Sequence, residues 1–204
     1  MIIEKSEELK YLSNGNRFEG IEPELENSKI TIEGSNNILY CEENVKLVNS
    51  ELIFHGSNSI IYLSSNKHIY YLFISLNNDN VFYIGKNNYF SGKFSVTLSE
   101  QKHCIIGNDC LFSFGIWIRN ADPHLIYDIN SKNRLNATKS IFIGDHVWIG
   151  QEAFLLKGTQ IDSGSIIGAR ALVAGKKIPS NTVYGGNPCR NISKNVFWER
   201  SVCT

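Results

Sequence analysis

Between Ile143 and Ile178 the chain reads IGDHVW, IGQEAF, LLKGTQ, IDSGSI, IGARAL and VAGKKI, six consecutive units of six residues. The first position of each unit is aliphatic: Ile143, Ile149, Leu155, Ile161, Ile167 and Val173. The fifth is small or β-branched in all but the last unit: Val147, Ala153, Thr159, Ser165 and Ala171. A six-residue unit is a short flat strand plus a tight corner, and three such units close one triangular turn of a parallel β-helix. Each first-position aliphatic then points inward and stacks on its equivalent one turn later, while the fifth residue packs near the corner, where a bulky side chain does not fit. Sandwich and barrel strands turn at irregular intervals of roughly 8 to 12 residues with alternating polar faces. An unbroken six-residue register is therefore read as a solenoid.

The pattern resembles the left-handed β-helix of the hexapeptide-repeat acyltransferases, whose crossovers run against the usual right-handed preference. Periodicity gives the solenoid; the hand and the chemistry come from the resemblance. The fold expected is an all-β, left-handed parallel β-helix with an excluded loop and a short C-terminal helix.

Composition fits one domain. A chain of 204 residues, 42% hydrophobic, is long enough for one solenoid with a cap. The formal net charge is +0 and no Lys/Arg-rich block occurs, which argues against nucleic acid or an anionic membrane as principal partner. The opening MIIEKSEELK has no secretory pattern, and the longest apolar run, around Ile69–Leu76, is far short of a membrane span. A soluble cytoplasmic protein is expected. Five cysteines (Cys41, Cys104, Cys110, Cys189, Cys203) without CxxC spacing suggest buried thiols rather than a disulfide framework or a zinc site.

Upstream of the clean block the repeat continues in looser form. Ile106, Phe112 and Ile118 keep the six-residue spacing, as do Ile84, Phe90 and Val96, with extra residues around His103 and Cys104. Earlier still, Ile38, Val45, Leu52 and Ile60 recur every seven or eight residues among many asparagines, including Asn36, Asn37, Asn44, Asn58 and Asn66. Asparagine tolerates left-handed turns, and its amide can bond to the same residue one coil on. The organisation expected is an N-terminal cap over 1–27, irregular coils over 28–118, an excluded loop over 119–140, regular coils over 141–192 and a C-terminal helix or tail over 193–204. A solenoid that expels a loop while keeping its period on both sides usually uses that loop at its binding face.

His124 lies in that loop, in RNADPHLIYD. The string resembles the D-G-H-x-I-x-D segment of polysaccharide and sugar O-acetyltransferases of the hexapeptide family, where the histidine is the catalytic base; here Pro123 replaces the usual glycine and Leu125 the usual small residue. Imidazole, with an unperturbed pKa near 6.5, can accept a hydroxyl proton at neutral pH and return it to a departing thiolate. Trp148 ends a hexapeptide and should point outward, where it needs a cover. The resemblance to enzymes that acetylate sialic-acid capsules, through IGDxxWIG, implies a place beside the acetyl thioester; packing at a subunit interface is the other reading. His146 is read as a corner residue beside the groove, and His55, His68 and His103 carry no metal-ligand spacing. No metal is expected.

For acetyl-CoA the resemblance implies the last coils: Trp148, Gly150, Ala153, Gly168, Ala169 and Ala174 along the pantetheine arm, with Lys176, Lys177 and Arg190 near the phosphates. The closing segment VAGKKIPSNTVYGGNPCRNI matches the family's, with Lys177 in place of its common aspartate and Cys189 in place of its alanine. The acceptor site is expected to use Arg119, Asn120, Asp122 and Tyr127, with Asp128 orienting the loop or His124. The function implied is acetyl-CoA-dependent O-acetylation of a sugar hydroxyl in a capsular or other cell-surface polysaccharide or its precursor, by direct attack, with backbone amides stabilising the oxyanion. Alternatives are N-acetylation of an amino-sugar nucleotide, O-acetylation of a small molecule or antibiotic, and a silent scaffold. Outward apolar groups, among them Trp117, Trp148 and Phe154, lead to the expectation of a homotrimer with sites between subunits.

Overall fold

The computed structural model describes residues 1–201. They form a triangular prism of about seven turns, in which successive strands visit three faces in rotation. The first face runs from Lys29–Ile32 through Glu51–Phe54, Leu72–Leu76, Phe94–Leu98, Ile116–Arg119 and Phe154–Leu156 to Leu172–Val173. The second runs from Arg17–Gly20 through Ile38–Cys41, Ile60–Leu63, Val81–Ile84, Cys104–Ile106, Ile141–Ile143 and Gln160–Ile161 to Lys177–Ile178. The third begins with Glu24–Glu26 beside Lys46–Val48, bridges from Leu47 to Tyr70, and resumes at Tyr89–Phe90, Leu111–Phe112, Trp148–Ile149, Ile166–Ile167 and Thr182–Gly185.

These strands pair in parallel, and the strand alternation buries one side of each: Leu52, Ile74, Val96, Ile118, Leu155 and Val173 fill the prism behind the first face. One face at each end is closed by a strand of opposite direction: Ile2–Ile3 runs antiparallel to Lys29–Ile32, and Arg190–Lys194 antiparallel to Thr182–Gly185.

Turn length divides the prism. Leu72 pairs with Phe94, and Phe94 with Ile116, a step of 22 residues that recurs in the side-chain bonds between coils. After the loop, Trp148 pairs with Ile166 and Phe154 with Leu172, a step of 18. The extra residues lengthen the strands: 11 of the 22 residues over 72–93 lie in strands, against 7 of the 18 over 154–171. The corners of the wide part are rich in asparagine. Asn36, Asn44 and Asn58 adopt positive φ there, and Asn36 donates to Asn58, which donates in turn to Asp79. Asn37 is buried instead; its amide accepts from the Ser59 N–H at 2.9 Å and donates to the Gly56 carbonyl at 2.9 Å.

Two expectations change at the ends. Parallel coiling begins at Arg17, ahead of residue 28, while the opening residues contribute the edge strand and a 3-10 turn, Ser6–Tyr11, that buries Leu9. The expected C-terminal helix is absent over the described residues: 193–194 complete the antiparallel strand, and 195–201 continue without helix. Arg190–Lys194 is held by an edge that only a strand can satisfy. Residues 202–204, including Cys203, fall outside the described residues. Cys41, Cys104, Cys110 and Cys189 are buried free thiols, and burial pushes Cys41 and Cys110 up to about 12, so they pack rather than react.

Candidate active site

The solenoid opens at the corner between the first and second faces. The chain leaves after Arg119 and returns at Ile141, and the coil pairing closes behind it, Cys104 with Ile141 and Trp117 with Phe154. The expelled segment folds on itself: Tyr127 bridges Arg134, and the Leu135 N–H donates to the Ile126 carbonyl at 2.8 Å. Asp128 shapes the tip, accepting from the Asn130 and Ser131 N–H groups at 3.0 and 2.7 Å, and the Ser131 bonds hold its carboxyl below its ordinary range. Asp128 therefore orders the loop; its bonds do not reach the His124 ring.

Asn136 is the buried hub. Its amide oxygen accepts from the Ile126 N–H at 2.9 Å; its nitrogen donates to the His124 carbonyl at 2.7 Å and to Asp122 at 2.9 Å. Lys157, from the end of a first-face strand, pairs with Asp122 and donates to the Asn136 carbonyl. On the other side Glu100 accepts from Arg134 at 2.7 Å and from the Thr138 hydroxyl at 2.6 Å. The Lys157 and then the Asn136 bonds lower Asp122, and the Arg134 and then the Thr138 bonds lower Glu100. The loop's anchors use the backbone of His124 and leave its imidazole exposed.

The expected acceptor residues separate. Arg119 and Asp122 line a cleft of about 290 Å³ with Leu135, Lys139, Leu156, Lys157 and Ala174. Tyr127 is 53% exposed on the loop. Asn120 is a correction: it is fully buried, and its amide binds the N–H and carbonyl of Ser99, so it ties two coils together and cannot reach an acceptor. Asn136, Lys157, Glu100 and Arg134 were missed by the sequence reading. A larger cleft of about 500 Å³ lies on the N-terminal coils around Lys29 and Lys93, away from the loop.

The expected coenzyme residues fall at two corners. Gly150 and Gly168 stack at the corner from third to first face, followed by Gly185, which pairs with Arg190; Ala153 and Ala169 are close by in sequence. A Cβ on Gly150 would lie 2.5 Å from the Ala169 nitrogen, whereas one on Gly168 would find only ordinary contacts at 3.5 Å. Gly150 is buried, its N–H bonds the Ile167 carbonyl of the next coil, and Ala153 is fully buried, so neither can reach a coenzyme; Gly168, Ala169 and Arg190 are the parts of this corner that solvent reaches. Ala174, Lys176 and Lys177 belong to the other corner, shared with the loop.

Trp148 stands on the third face, 38% exposed, whereas the loop leaves the opposite corner. Its neighbour is unexpected: Trp198, buried, lies 6.1 Å from its ring. Trp198 stacks on His146 at 4.1 Å and 7°, and its indole N–H donates to the His146 carbonyl at 3.0 Å. The His146 ring also meets Asp109 at 2.8 Å and the Trp198 carbonyl at 3.0 Å. Arg200 continues the strap to Asp109 and the Cys110 carbonyl. His146 is thus engaged by the tail. His55 pairs with Glu33, His68 packs edge-on to Tyr89, and the His103 ring accepts the Val81 N–H.

No protein-family model matches the chain. It is 30% identical over 175 residues to a polysialic acid O-acetyltransferase of Neisseria meningitidis, covering 86% of this chain and 81% of that protein. It is 32% identical over 118 residues to a polysialic acid O-acetyltransferase of Escherichia coli O1:K1, of whose length it spans 38%. Among solved structures, the polySia-specific acetyltransferase NeuO superposes with a TM-score of 0.82 at 31% identity, covering 92% of this chain and 86% of that one. The prism is accordingly the left-handed β-helix of these enzymes, and the chain belongs to the acetyltransferase family that contains the polysialic acid O-acetyltransferases.

Proposed function

We propose that the protein transfers an acetyl group from acetyl-CoA to a hydroxyl of a capsular polysaccharide, with His124 as general base. The observation that carries this reading is the expelled loop, whose anchors Asn136, Glu100 and Lys157 fix the backbone around His124 while its imidazole faces solvent. Acetyl-CoA supplies the acetyl group as a thioester. The corner of Gly168 and Ala169 suits its pantetheine arm, with Trp148 beside it and Arg190 toward the phosphates; Lys176 and Lys177, at the loop corner, would meet the phosphates from a neighbouring copy. A ring nitrogen of His124 takes the proton of the acceptor hydroxyl as the oxygen attacks, then releases it to the leaving sulfur. Backbone N–H groups oppose the charge that develops on the carbonyl oxygen.

The relatives named above act on polysialic acid, and a polymer of that kind fits an exposed loop better than a closed pocket does. A homotrimer is the assembly this reading expects: His124 and Trp148 belong to opposite sides of one prism, so a site using both needs a second copy, and a closed ring of three would give every copy the same site. Trp117, Phe142 and Leu125, 43%, 46% and 53% exposed, are the surfaces such contacts would cover. The thioester is an intracellular metabolite, which makes the cytoplasm the natural compartment; among the described residues no helix is long and apolar enough to cross a membrane.

The test is acetyl transfer from acetyl-CoA to a panel of capsule oligosaccharides and sugar nucleotides, with light scattering at each dilution. Transfer to nucleotide amino groups alone, or a fully active monomer, would overturn the acceptor or the trimer respectively.

A further inference from the structure

Arg119 is placed where a guanidinium must do something other than hold the fold. It ends the strand Ile116–Arg119, in the outward column between Thr97 and Leu156. Its Nε is buried and meets no hydrogen-bond partner among the described residues. A buried N–H left unpaired is destabilising, more so on a charged group, so such atoms in a native fold point to a missing acceptor. Arg119 also separates two adjoining clefts, of about 290 and 200 Å³, and lines both with Asp122. Asp122 does not supply the acceptor, because Lys157 and Asn136 bind it. The larger cleft thus holds the cations Arg119, Lys139 and Lys157 against one carboxylate, and its walls include Leu135 and Leu156.

An excess of positive charge beside apolar walls selects an anion with a non-polar flank. The guanidinium fork matches a carboxylate through two parallel N–H bonds, which neither a hydroxyl nor a neutral amide provides. We infer that Arg119 is the specificity-determining residue of the acceptor site: it binds the carboxylate of an acidic sugar unit, while Leu135 and Leu156 take the unit's non-polar face. The inference rests on the reading that the loop site receives a sugar acceptor. The same donors could instead meet a phosphate or carbonyl oxygen of the coenzyme, so the experiment separates the two.

The experiment compares wild type with Arg119→Gln and Arg119→Lys. An acidic capsule oligosaccharide is set against its carboxyl-reduced counterpart, in transfer kinetics and in direct calorimetric binding. Arg119→Gln is expected to raise KM for the acidic acceptor at least about tenfold, leave KM for acetyl-CoA within about twofold, and abolish the preference for the acidic over the reduced acceptor. Arg119→Lys should keep part of that preference. Equal losses on both acceptors, a rise confined to the acetyl-CoA KM, or a changed oligomer size would overturn the assignment. If wild type binds the acidic oligosaccharide and Arg119→Gln does not, yet no acetyl is transferred, the assignment stands and the proposed reaction fails.

Discussion

The coils before and after the expelled loop are two solutions to one problem. A 22-residue turn has a longer perimeter than an 18-residue turn, so it encloses a wider triangle that larger side chains must fill. The buried phenylalanines Phe54, Phe82, Phe90, Phe94 and Phe112, and buried Tyr70, all precede the loop. Behind it the core is Ile141, Ile143, Val147, Ile149, Ala153, Leu155, Ile161, Ile167, Ala171, Val173, Ile178 and Cys189. Corners differ in the same sense: buried asparagine amides bond from turn to turn in the wide part, while Ala153, Thr159, Ser165 and Ala171 fill the buried corners of the narrow part. The loop and its candidate base stand at the seam.

The sharpest way to break this division is chemical. His124→Ala should lower acetyl transfer by about 10²–10⁴-fold, the usual range for a general base, without moving the melting temperature, since the imidazole is exposed. Steady-state kinetics beside thermal unfolding checks both halves. Near-normal turnover would move the chemistry away from the seam.

Core substitutions sharpen the contrast in width. Phe94 touches Phe90 and Phe112, with ring centroids 5.5 and 4.7 Å away, so Phe94→Ala should cost about 3–5 kcal/mol. Ile167→Val in the narrow coils should cost about 0.5–1.5 kcal/mol, and Ile167→Phe should destabilise by about 1–3 kcal/mol through overpacking. Denaturant titrations measure all three. If Ile167→Phe proves neutral, the narrow prism is wider than its turn length implies.

Corner chemistry gives a smaller difference. Asn37→Ala orphans the Ser59 N–H and the Gly56 carbonyl, at about 1–3 kcal/mol for each group left unsatisfied. Ser165→Ala removes a single bond, to the Pro179 carbonyl at 2.7 Å, and should cost about half as much. Equal midpoint shifts for the two variants would mean that the amide rungs add nothing special to the wide coils.

The narrow coils were legible in the sequence because each corner there repeats at a fixed six-residue interval. The first wide coils showed only as a seven-to-eight-residue recurrence, since their strands run to four or five residues with more than one inward apolar side chain each, which blurs a six-residue marker. Asn120 was misread as a loop residue, although a signal existed: Asn77 bonds Ser99, and Ser99 bonds Asn120, at steps of 22 and 21. Continuing that spacing would have assigned Asn120 to the last rung of a ladder. The roles of Asn136 and Trp198 had no comparable signal. Asn136 acts through partners 12 and 14 residues away across a hairpin, and Trp198 through His146, 52 residues earlier. A polar segment holding two aromatics read as a capping helix because its true partner lies on a distant coil.

The smallest expected effect concerns acid and the loop alone. Glu100 is lowered by Arg134 and Thr138, and Asp122 by Lys157 and Asn136, so each carboxylate binds its proton less readily in the folded state than in the unfolded chain. Such groups stabilise the docked loop fully above the ordinary carboxylate pKa of about 4, and that contribution is lost as pH falls through their lowered values. Both side chains are well exposed, 37% and 42%, so solvent screening keeps the effect small. The coils have no such dependence at their apolar core and should stay folded while the loop loosens. Amide exchange across Asp128–Leu135, followed from about pH 6 to about pH 3 and corrected for intrinsic rates, should lose protection only at the acid end. Glu100→Gln should show reduced protection already at about pH 6 and a shallower acid dependence. Unchanged protection throughout the series would mean that the loop is held by Asn136 and its own hairpin, with the ion pairs incidental to where His124 stands.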